Sequence, residues 1–277
     1  MDEQNFSRLK RYNEEKNQEC RERYVGLIRE NKKGCKYKII NYIDANNVDV
    51  FFFNTGKIVK RQLRKSLNGN IKDPYEPCVE GMGWIGEGKH RVKINGILNK
   101  RYEAWRGILK RCNPKFWSKL PTYIGCQICE EWKCFQTFAD WYDLNYYQID
   151  NDIMEIDKDI LYKSKTKKYS PNNCIFVNHK INCLFTKREN DRGEFPIGVY
   201  KLIKDNNIVY ASCCSYVDKQ NSVKHKNLGY FNTPEEAFYA YKKFKENYIK
   251  QVADEYKDKI PQKLYDAMYR YEVEITD

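Results

Sequence analysis

Three short strand patterns followed directly by a strong helix start constrain the fold of residues 193–250 more than any other feature of the chain. The strand patterns lie at Ile197–Ile203, Asn207–Cys213 and Asn227–Phe231. A Thr-Pro-Glu-Glu sequence follows, in which Thr233 can cap a helix and Glu236 can bond back to the Thr233 backbone. The apolar residues after it repeat at helical spacing. This order predicts a small α+β domain in which one helix covers a three-stranded sheet.

The rest of the chain also alternates between strand and helix patterns. Strand patterns at Lys36–Ile43, Val48–Phe53 and Lys57–Lys60 predict a small N-terminal β-module. Two helices are predicted within 100–144, and a strand–loop–strand–helix order within 153–188. The predicted fold class is therefore α+β and multidomain. Its four parts are a helical leader (1–33), the small β-module with a Gly/Pro linker (34–98), a central region that ends in the strand–strand–helix (ββα) order (99–190), and the C-terminal three-stranded sheet plus helix with a helical tail (191–277).

The charge balance favours an anionic partner. The 277 residues include 50 Lys and Arg against 38 Asp and Glu, which gives a formal net charge of +12. Nucleic-acid-binding chains often have such an excess, but a lysine-rich solubilising surface or a codon bias towards Lys, Asn and Ile gives the same number. We find neither an apolar run long enough for a membrane helix nor a secretory signal pattern, so no membrane partner is expected. Eleven scattered cysteines then predict reduced thiols in a soluble, cytoplasmic protein.

The sequence lacks the residues that several classes of functional site require. Three histidines (His90, His179 and His225) leave little material for a Ser/His/Asp hydrolase. No nucleotide-binding glycine motif follows a strand, so no small-molecule cofactor is expected. Cys126 and Cys129 form a CxxC pair, but no second pair lies at the spacing of a four-ligand zinc site. We interpret the pair as reduced structural cysteines, with a zinc half-site as the alternative.

Three runs in the central region carry a resemblance to a known family. They are YEAWRGILKRC (102–112), TYIGCQICEEWKCFQTFADWY (122–142) and IDKDILYKSKTKKYSPNNCIFVNHKIN (156–182). In order and spacing, over about a third of the chain, they resemble the bacteriophage-type HNH endonucleases, such as the phage homing endonucleases. The resemblance implies a ββα unit that binds one Mg²⁺ or Mn²⁺ ion and cleaves a DNA phosphodiester with an activated water.

The resemblance also implies site residues, position by position. The metal ligands it implies, all with oxygen donors as hard cations prefer, are Asp157, Asp159 and Asn182. Lys158 stands where the motif has its catalytic His, and Asn173 matches the middle Asn of the motif. The general base is then either Lys158, which would need a strongly lowered pKa, or His179. The alternative is a ββα unit that has lost cleavage and serves as a DNA-binding or structural scaffold.

A second resemblance covers the C-terminal domain. FPIGVYKLIKDNNIVYASCCSY (195–216), HKNLGYFNTPEEAFYAY (225–241) and KKFKENYI (242–249) resemble the Apetala-two-type DNA-binding domain. That resemblance implies that the three-stranded sheet lies in the major groove of double-stranded DNA. The residues of this sheet that we expect to face DNA are Tyr200, Lys201, Lys204, Tyr210, Lys219, Lys224 and Lys226. For each lysine, the alternative is a solvating role at the sheet surface.

Two further basic clusters are candidates for DNA contact. They are Arg61, Arg64 and Lys65 after the N-terminal strands, and Arg106, Lys110 and Arg111 on the helix pattern at 100–112. The predicted function is a phage-type DNA-binding protein that acts as a metal-dependent HNH endonuclease. Two alternatives stay open. One is a DNA-binding protein without cleavage, and the other is an anti-defence protein of the anti-CRISPR kind that binds a host nuclease complex.

Overall fold

The computed structural model describes residues 3–162, 167–186, 194–217 and 222–276. The chain forms two compact units: Met1–Ile124 with Ile128–Asp140, and Gly125–Gln127 with Trp141–Asp277. Both units contain helices and antiparallel strands, so the chain belongs to the mixed α+β class. Among the described helices, none combines the length and the apolar composition that crossing a membrane requires.

The first unit opens with a helix and a four-stranded antiparallel sheet. The elements are α1 (Glu3–Tyr24), β1 (Ile28–Glu30), β2 (Lys36–Asp44), β3 (Asn47–Phe52) and β4 (Lys57–Arg61), with the strands in chain order across the sheet. Alternate residues of β2 to β4 point into a core that contains Tyr37, Ile39, Val48, Val50, Phe52 and Val59. Strand β1 adds an edge that the sequence did not predict. All three of its residues are exposed, so they carry no alternating pattern.

An aromatic core fills the remainder of the first unit. Its elements are α2 (Leu63–Leu67), the hairpin of β5 (Lys93–Ile94) and β6 (Ile97–Leu98), and α3 (Lys100–Cys112). The short strand β7 (Gln127–Ile128) and helix α4 (Phe135–Asn145) follow, and the residues of each are divided between the two units. Trp105 of α3 is fully buried, and its indole N–H donates to the Trp132 carbonyl over 2.7 Å. Phe135 and Phe138 are also fully buried, so these rings serve core packing.

The second unit contains the strand–strand–helix order predicted within 153–188. Its elements are β8 (Met154–Asp157), the two-residue strand β9 (Lys168–Tyr169), β10 (Ile175–Asn178) and α5 (His179–Leu184). β8 and β10 are antiparallel, with Val177 opposite Glu155. Asn178 caps α5, because its side-chain oxygen accepts from the Ile181 N–H over 3.0 Å and its amide donates to Asp152 over 2.7 Å. The helix therefore starts at a fixed orientation directly after β10.

The same unit ends in a three-stranded sheet and two helices. These are β11 (Val199–Lys204), β12 (Asn207–Val217), β13 (Val223–Phe231), α6 (Pro234–Tyr256) and α7 (Gln262–Tyr269), with all strands antiparallel in chain order. The predicted capping box is confirmed: Thr233 accepts from the Glu236 N–H over 3.2 Å, and Glu236 accepts from the Thr233 N–H over 3.3 Å. β12 and β13 are longer than predicted, and their register shifts between Ser212 and Cys213.

Helix α6 covers one face of this sheet. Val199 and Cys214 of the sheet share a buried core with Ala237, Phe238 and Tyr241 of the helix. The approach is close at the start of β11, where Gly198 has φ +78° and an added Cβ would lie 2.1 Å from the Tyr241 ring. Only glycine fits this position, because it tolerates the positive φ and has no side chain to clash. The other face of the sheet is not covered by α6.

Candidate functional site

The sheet surface opposite α6 presents rings and polar groups to solvent. We call it the open face. Strand alternation and register assign to it Tyr200, Leu202, Lys204, Val209, Ala211, Cys213, Ser215, His225, Asn227 and Tyr230. Two pairs of side chains form hydrogen bonds on this face. Ser215 bonds to His225 over 3.0 Å, and Asn227 bonds to the Tyr230 hydroxyl over 3.2 Å.

Two tyrosines dominate the open face. Tyr200 of β11 and Tyr230 of β13 both pair with Ala211 of the central strand, and they are 42% and 49% exposed. They therefore flank a small residue on strands that lie about 10 Å apart. The Lys204 ammonium lies 4.8 Å from the centroid of the Tyr230 ring, which is a cation–π distance. Burial raises the pKa of Tyr200, and Cys213 and Tyr230 add to the rise, so its hydroxyl stays a neutral donor.

Most of the lysines predicted to face DNA from this sheet lie on its helix side and not on the open face. Lys201 pairs with Tyr210, whose ring packs into the core beneath the sheet, 5.4 Å from Phe195. Lys226 pairs with the buried Cys214, and its ammonium lies 4.9 Å from the Phe244 ring of α6. Lys224 shares the side of Lys226 because it lies two residues away on β13. Tyr210, Lys201, Lys224 and Lys226 therefore belong to the helix side, and Lys219 lies outside the described residues.

Several basic side chains of the first unit have partners within that unit. Arg61 bonds to Glu87 over 2.7 Å, and Arg106 bonds to Glu80 over 2.7 Å. The bond and charge of Glu80 raise the pKa of Arg106. Lys110 lies 5.0 Å from the Phe116 ring centroid and Arg111 lies 5.3 Å from that of Tyr123. Two predicted cations of this unit, on the short helix α2, are simply exposed: Arg64 and Lys65.

Asp157 ends β8 and organises the turn that follows. One of its carboxylate oxygens accepts from the backbone N–H groups of Asp159 and Ile160, over 2.7 and 2.8 Å. Burial raises the pKa of Asp157, and the negative charge of Asp159 adds to that rise, while the two N–H bonds and Lys158 oppose it. The carboxylate therefore has a structural role in the turn.

Lys158 is buried, and its ammonium bonds to the carboxylate of Asp159. Burial alone would lower the pKa of Lys158, but the hydrogen bond and charge of Asp159 outweigh burial, and the pKa is raised. The amine also lies 5.6 Å from the Tyr169 ring centroid. Lys158 thus stays protonated at neutral pH, which is the wrong state for a general base.

Asn173 and Cys174 support the loop beside this turn. The Asn173 amide donates to the Lys168 carbonyl over 3.1 Å, which fixes the segment that leads into β10. Cys174 is fully buried, and burial raises the pKa of its thiol, so it is an inert core thiol. No described contact of Asn173 joins it to Asp157 or Asn182.

A second polar cluster lies on β8 and α5, and its central residue, Glu155, was not predicted. Glu155 lies two residues before Asp157 on the same face of β8. One of its oxygens lies 3.0 Å from Nδ1 of His179, and the other accepts from the amide of Asn182. His179 Nε2 lies 3.3 Å from the sulfur of Cys183. The alternation of Glu155 with the apolar Met154 and Ile156 was the available signal.

The predicted metal ligands do not fit a hard divalent cation in this arrangement. Asp159 already contacts the Lys158 ammonium, and the charge of Lys158 also acts on Asp157. A second cation there would be repelled by the lysine. Asn182 is engaged by Glu155 instead. Within the described ranges, no group of three or more His, Cys, Asp or Glu side chains has the arrangement of a metal site.

Comparisons with known proteins add no family to this geometry. No protein-family model matches the chain, and neither the curated proteins nor the solved structures contain a significant match.

Proposed function

We propose that the chain binds double-stranded DNA through the open face of its C-terminal sheet. One observation carries the proposal: Tyr200 and Tyr230 are exposed on the two outer strands, with the ammonium of Lys204 against the Tyr230 ring. Large rings left in water forgo the free energy that their burial would release. Their position beside a lysine, on the face that α6 does not cover, favours a partner with both flat apolar and anionic groups.

The dimensions of the open face suit the major groove. Its outer strands lie about 10 Å apart, and the groove of B-form DNA is about 12 Å wide. Lys204 can neutralise a phosphate, and the hydroxyls of Tyr200 and Tyr230 can bond to phosphate oxygens. Leu202, which is 37% exposed and lies between Tyr200 and Lys204 on β11, can contact a thymine methyl. The net charge of +12 favours approach to DNA from a distance.

Cleavage by the ββα unit is not part of the proposal. Lys158 is protonated and engaged by Asp159, Asn173 holds a loop, and Asn182 bonds to Glu155. These contacts support a scaffold role for the unit. We propose a phage-type DNA-binding protein that acts in the cytoplasm of a bacterial host. All eleven cysteines are free thiols, which supports that location.

Fluorescence anisotropy with a labelled AT-rich duplex, measured over a series of salt concentrations, tests the binding face. Lys204→Ala removes a cation from the open face, and Lys201→Ala removes one from the helix side of the same strand. We expect Lys204→Ala to reduce the slope of log affinity against log salt by about 1, because one phosphate contact is lost. Lys201→Ala should leave the slope unchanged. Equal slopes for the two variants would overturn the assignment of the face.

A cleavage assay separates this function from the endonuclease. Supercoiled AT-rich plasmid is incubated with the protein in Mg²⁺, in Mn²⁺ and in EDTA. We expect a salt-sensitive gel shift without open circles in all three. Metal-dependent open circles that disappear in Asp157→Ala would establish the endonuclease instead. If neither a shift nor cleavage occurs, and a host nuclease complex is retained at high salt, the anti-defence alternative replaces DNA binding.

A further inference from the structure

Glu155, His179 and Cys183 form a continuous line of contacts at the exposed side of α5. The Cys183 sulfur lies 3.3 Å from Nε2 of His179, and Nδ1 of His179 lies 3.0 Å from a carboxylate oxygen of Glu155. The second oxygen of Glu155 accepts from the Asn182 amide, which holds the carboxylate in place. His179 and Cys183 meet because residues four apart lie on the same side of a helix.

These three residues supply the parts that activate a thiol. A carboxylate that accepts from Nδ1–H leaves Nε2 of the imidazole as an acceptor, and Nε2 is the atom that faces the sulfur. His179 can therefore take the proton of Cys183. Glu155 orients the ring and stabilises the imidazolium that forms. A thiolate beside an imidazolium is the reactive form of cysteine.

Lys245 of α6 adds a second cation near the same sulfur. Burial lowers the pKa of Lys245, and a negative charge on Cys214 or Cys183 opposes that change. The Lys245 amine therefore lies within electrostatic range of the Cys183 sulfur. The groups that act on the charge of Cys183 thus come from three elements: Glu155 on β8, His179 on α5 and Lys245 on α6.

Accessibility distinguishes Cys183 from nearly all the other thiols. Of the eleven cysteines, only Cys78 and Cys183 are exposed. In the part of the chain that the structure describes, no hydrogen bond reaches the Cys78 sulfur. The His179 side chain is 76% exposed, so a small reagent can reach both the base and the nucleophile. Cys78 is therefore a matched internal control that has exposure but no base.

We propose that Cys183 is a reactive thiol that undergoes exchange with small disulfides, such as oxidised low-molecular-weight thiols. His179 accepts the proton of Cys183, and the thiolate attacks one sulfur of the disulfide. A bond forms between the Cys183 sulfur and that sulfur, and the original disulfide bond breaks. The leaving thiolate takes the proton back from His179. One thiol and one disulfide are consumed, and one mixed disulfide and one thiol are produced, so no further oxidant is needed.

The test is the rate at which glutathione disulfide modifies each cysteine of the folded protein, with the reaction quenched in acid and the peptides quantified by mass spectrometry. We expect Cys183 to react about 10-fold faster than Cys78 at neutral pH, because only a few per cent of an ordinary thiol is ionised there. His179→Gln should reduce the Cys183 rate to that of Cys78.

A second variant and a check of folding keep the result interpretable. Glu155→Gln should give an intermediate rate, because the imidazole keeps its position but loses the charge that stabilises its protonated form. Circular dichroism checks that each variant is folded. Equal rates for Cys183 and Cys78 in the wild-type protein would overturn the proposal. So would a folded His179→Gln protein in which Cys183 reacts as fast as before. The outcome does not depend on whether the open face binds DNA.

Discussion

The open face and the turn after β8 carry similar residue types but use them differently. On the open face, Tyr200 is 42% exposed and Tyr230 is 49% exposed, with Lys204 beside them. In the turn, Lys158 is only 8% exposed and bonds to Asp159, while Asp157 accepts two backbone N–H groups. A charged group is available to an anionic partner where it stays exposed and is not paired with an opposite charge.

The same distinction applies to basic residues of the first unit. Arg61 and Arg106 each bond to a glutamate over 2.7 Å, at Glu87 and Glu80. Both arginines belong to basic clusters that were predicted to contact DNA because of their charge. A phosphate would have to compete with a carboxylate for each of them, so the net gain from contact is small.

The largest expected effect comes from removing the packing that supports the open face. Gly198→Ala places a methyl group in the Tyr241 ring at a positive φ, which should destabilise the second unit by about 3 kcal/mol and abolish DNA binding. Urea unfolding followed by circular dichroism measures the change. Gly96→Ala is the control, since Gly96 has φ +81° but no atom near its missing Cβ. Equal losses of stability in the two variants would contradict the close approach of α6.

The next effect sharpens the role of the rings. Replacement of Tyr230 by Ala should weaken binding to the duplex by about tenfold, because one flat contact and one hydroxyl are lost. Tyr200→Ala should act similarly. Anisotropy titrations at one fixed salt concentration give the affinities. Tyr239→Ala is the matched control, because Tyr239 is 64% exposed on α6. If the control weakens binding as much as Tyr230→Ala, the open face is not the contact surface.

A pH-dependent effect tests the structural role of the turn. The pKa of Asp157 is raised in the folded chain, first by burial, so the folded state holds its proton more tightly than the unfolded state. Stability from this group is full below its ordinary pKa and is lost as the pH rises through the folded pKa. Wild type should therefore gain stability relative to Asp157→Asn as the pH falls from neutral to mildly acidic.

Urea midpoints of the two proteins at several pH values measure this difference. A difference that is constant with pH, or one that changes in the opposite direction, would contradict the burial of the Asp157 carboxylate in the turn.

The smallest effect is expected for the arginines that already have partners. Arg61→Ala and Arg106→Ala should change DNA affinity by about twofold or less, because exposed ion pairs already engage both side chains. Competition assays against the wild-type protein resolve such small differences. A large loss of affinity in either variant would show that DNA displaces the glutamates, and the first unit would then join the interface.

Features that depend on neighbouring residues could be predicted from the sequence, whereas features that depend on tertiary packing could not. The Thr233–Glu236 capping box was predictable because all its atoms lie within one turn. Lys201 and Lys204 lie on opposite faces of β11, but only the packing of α6 decides which of them is on the open face. The exposed edge strand β1 has no alternation and left no signal.

The candidate site was harder to predict for a similar reason. Burial lowers the pKa of Lys158, whereas its contact with Asp159 raises it. The sequence does not reveal which of the two effects is larger. Glu155 acquires its role only through contacts with His179 and Asn182, which lie more than twenty residues further along the chain. Antiparallel pairing of β8 with β10 brings these residues together.

Photocrosslinking tests the central claim most directly. A duplex that carries 5-iodouracil in place of thymine has an iodine atom in the major groove, where it crosslinks to nearby aromatic side chains. The crosslinked peptides are then identified by mass spectrometry. We predict crosslinks to Tyr200 or Tyr230. These crosslinks should disappear when both tyrosines are replaced by alanine. Efficient crosslinks that map only to the first unit, or to the α6 side of the sheet, would contradict DNA binding by the open face.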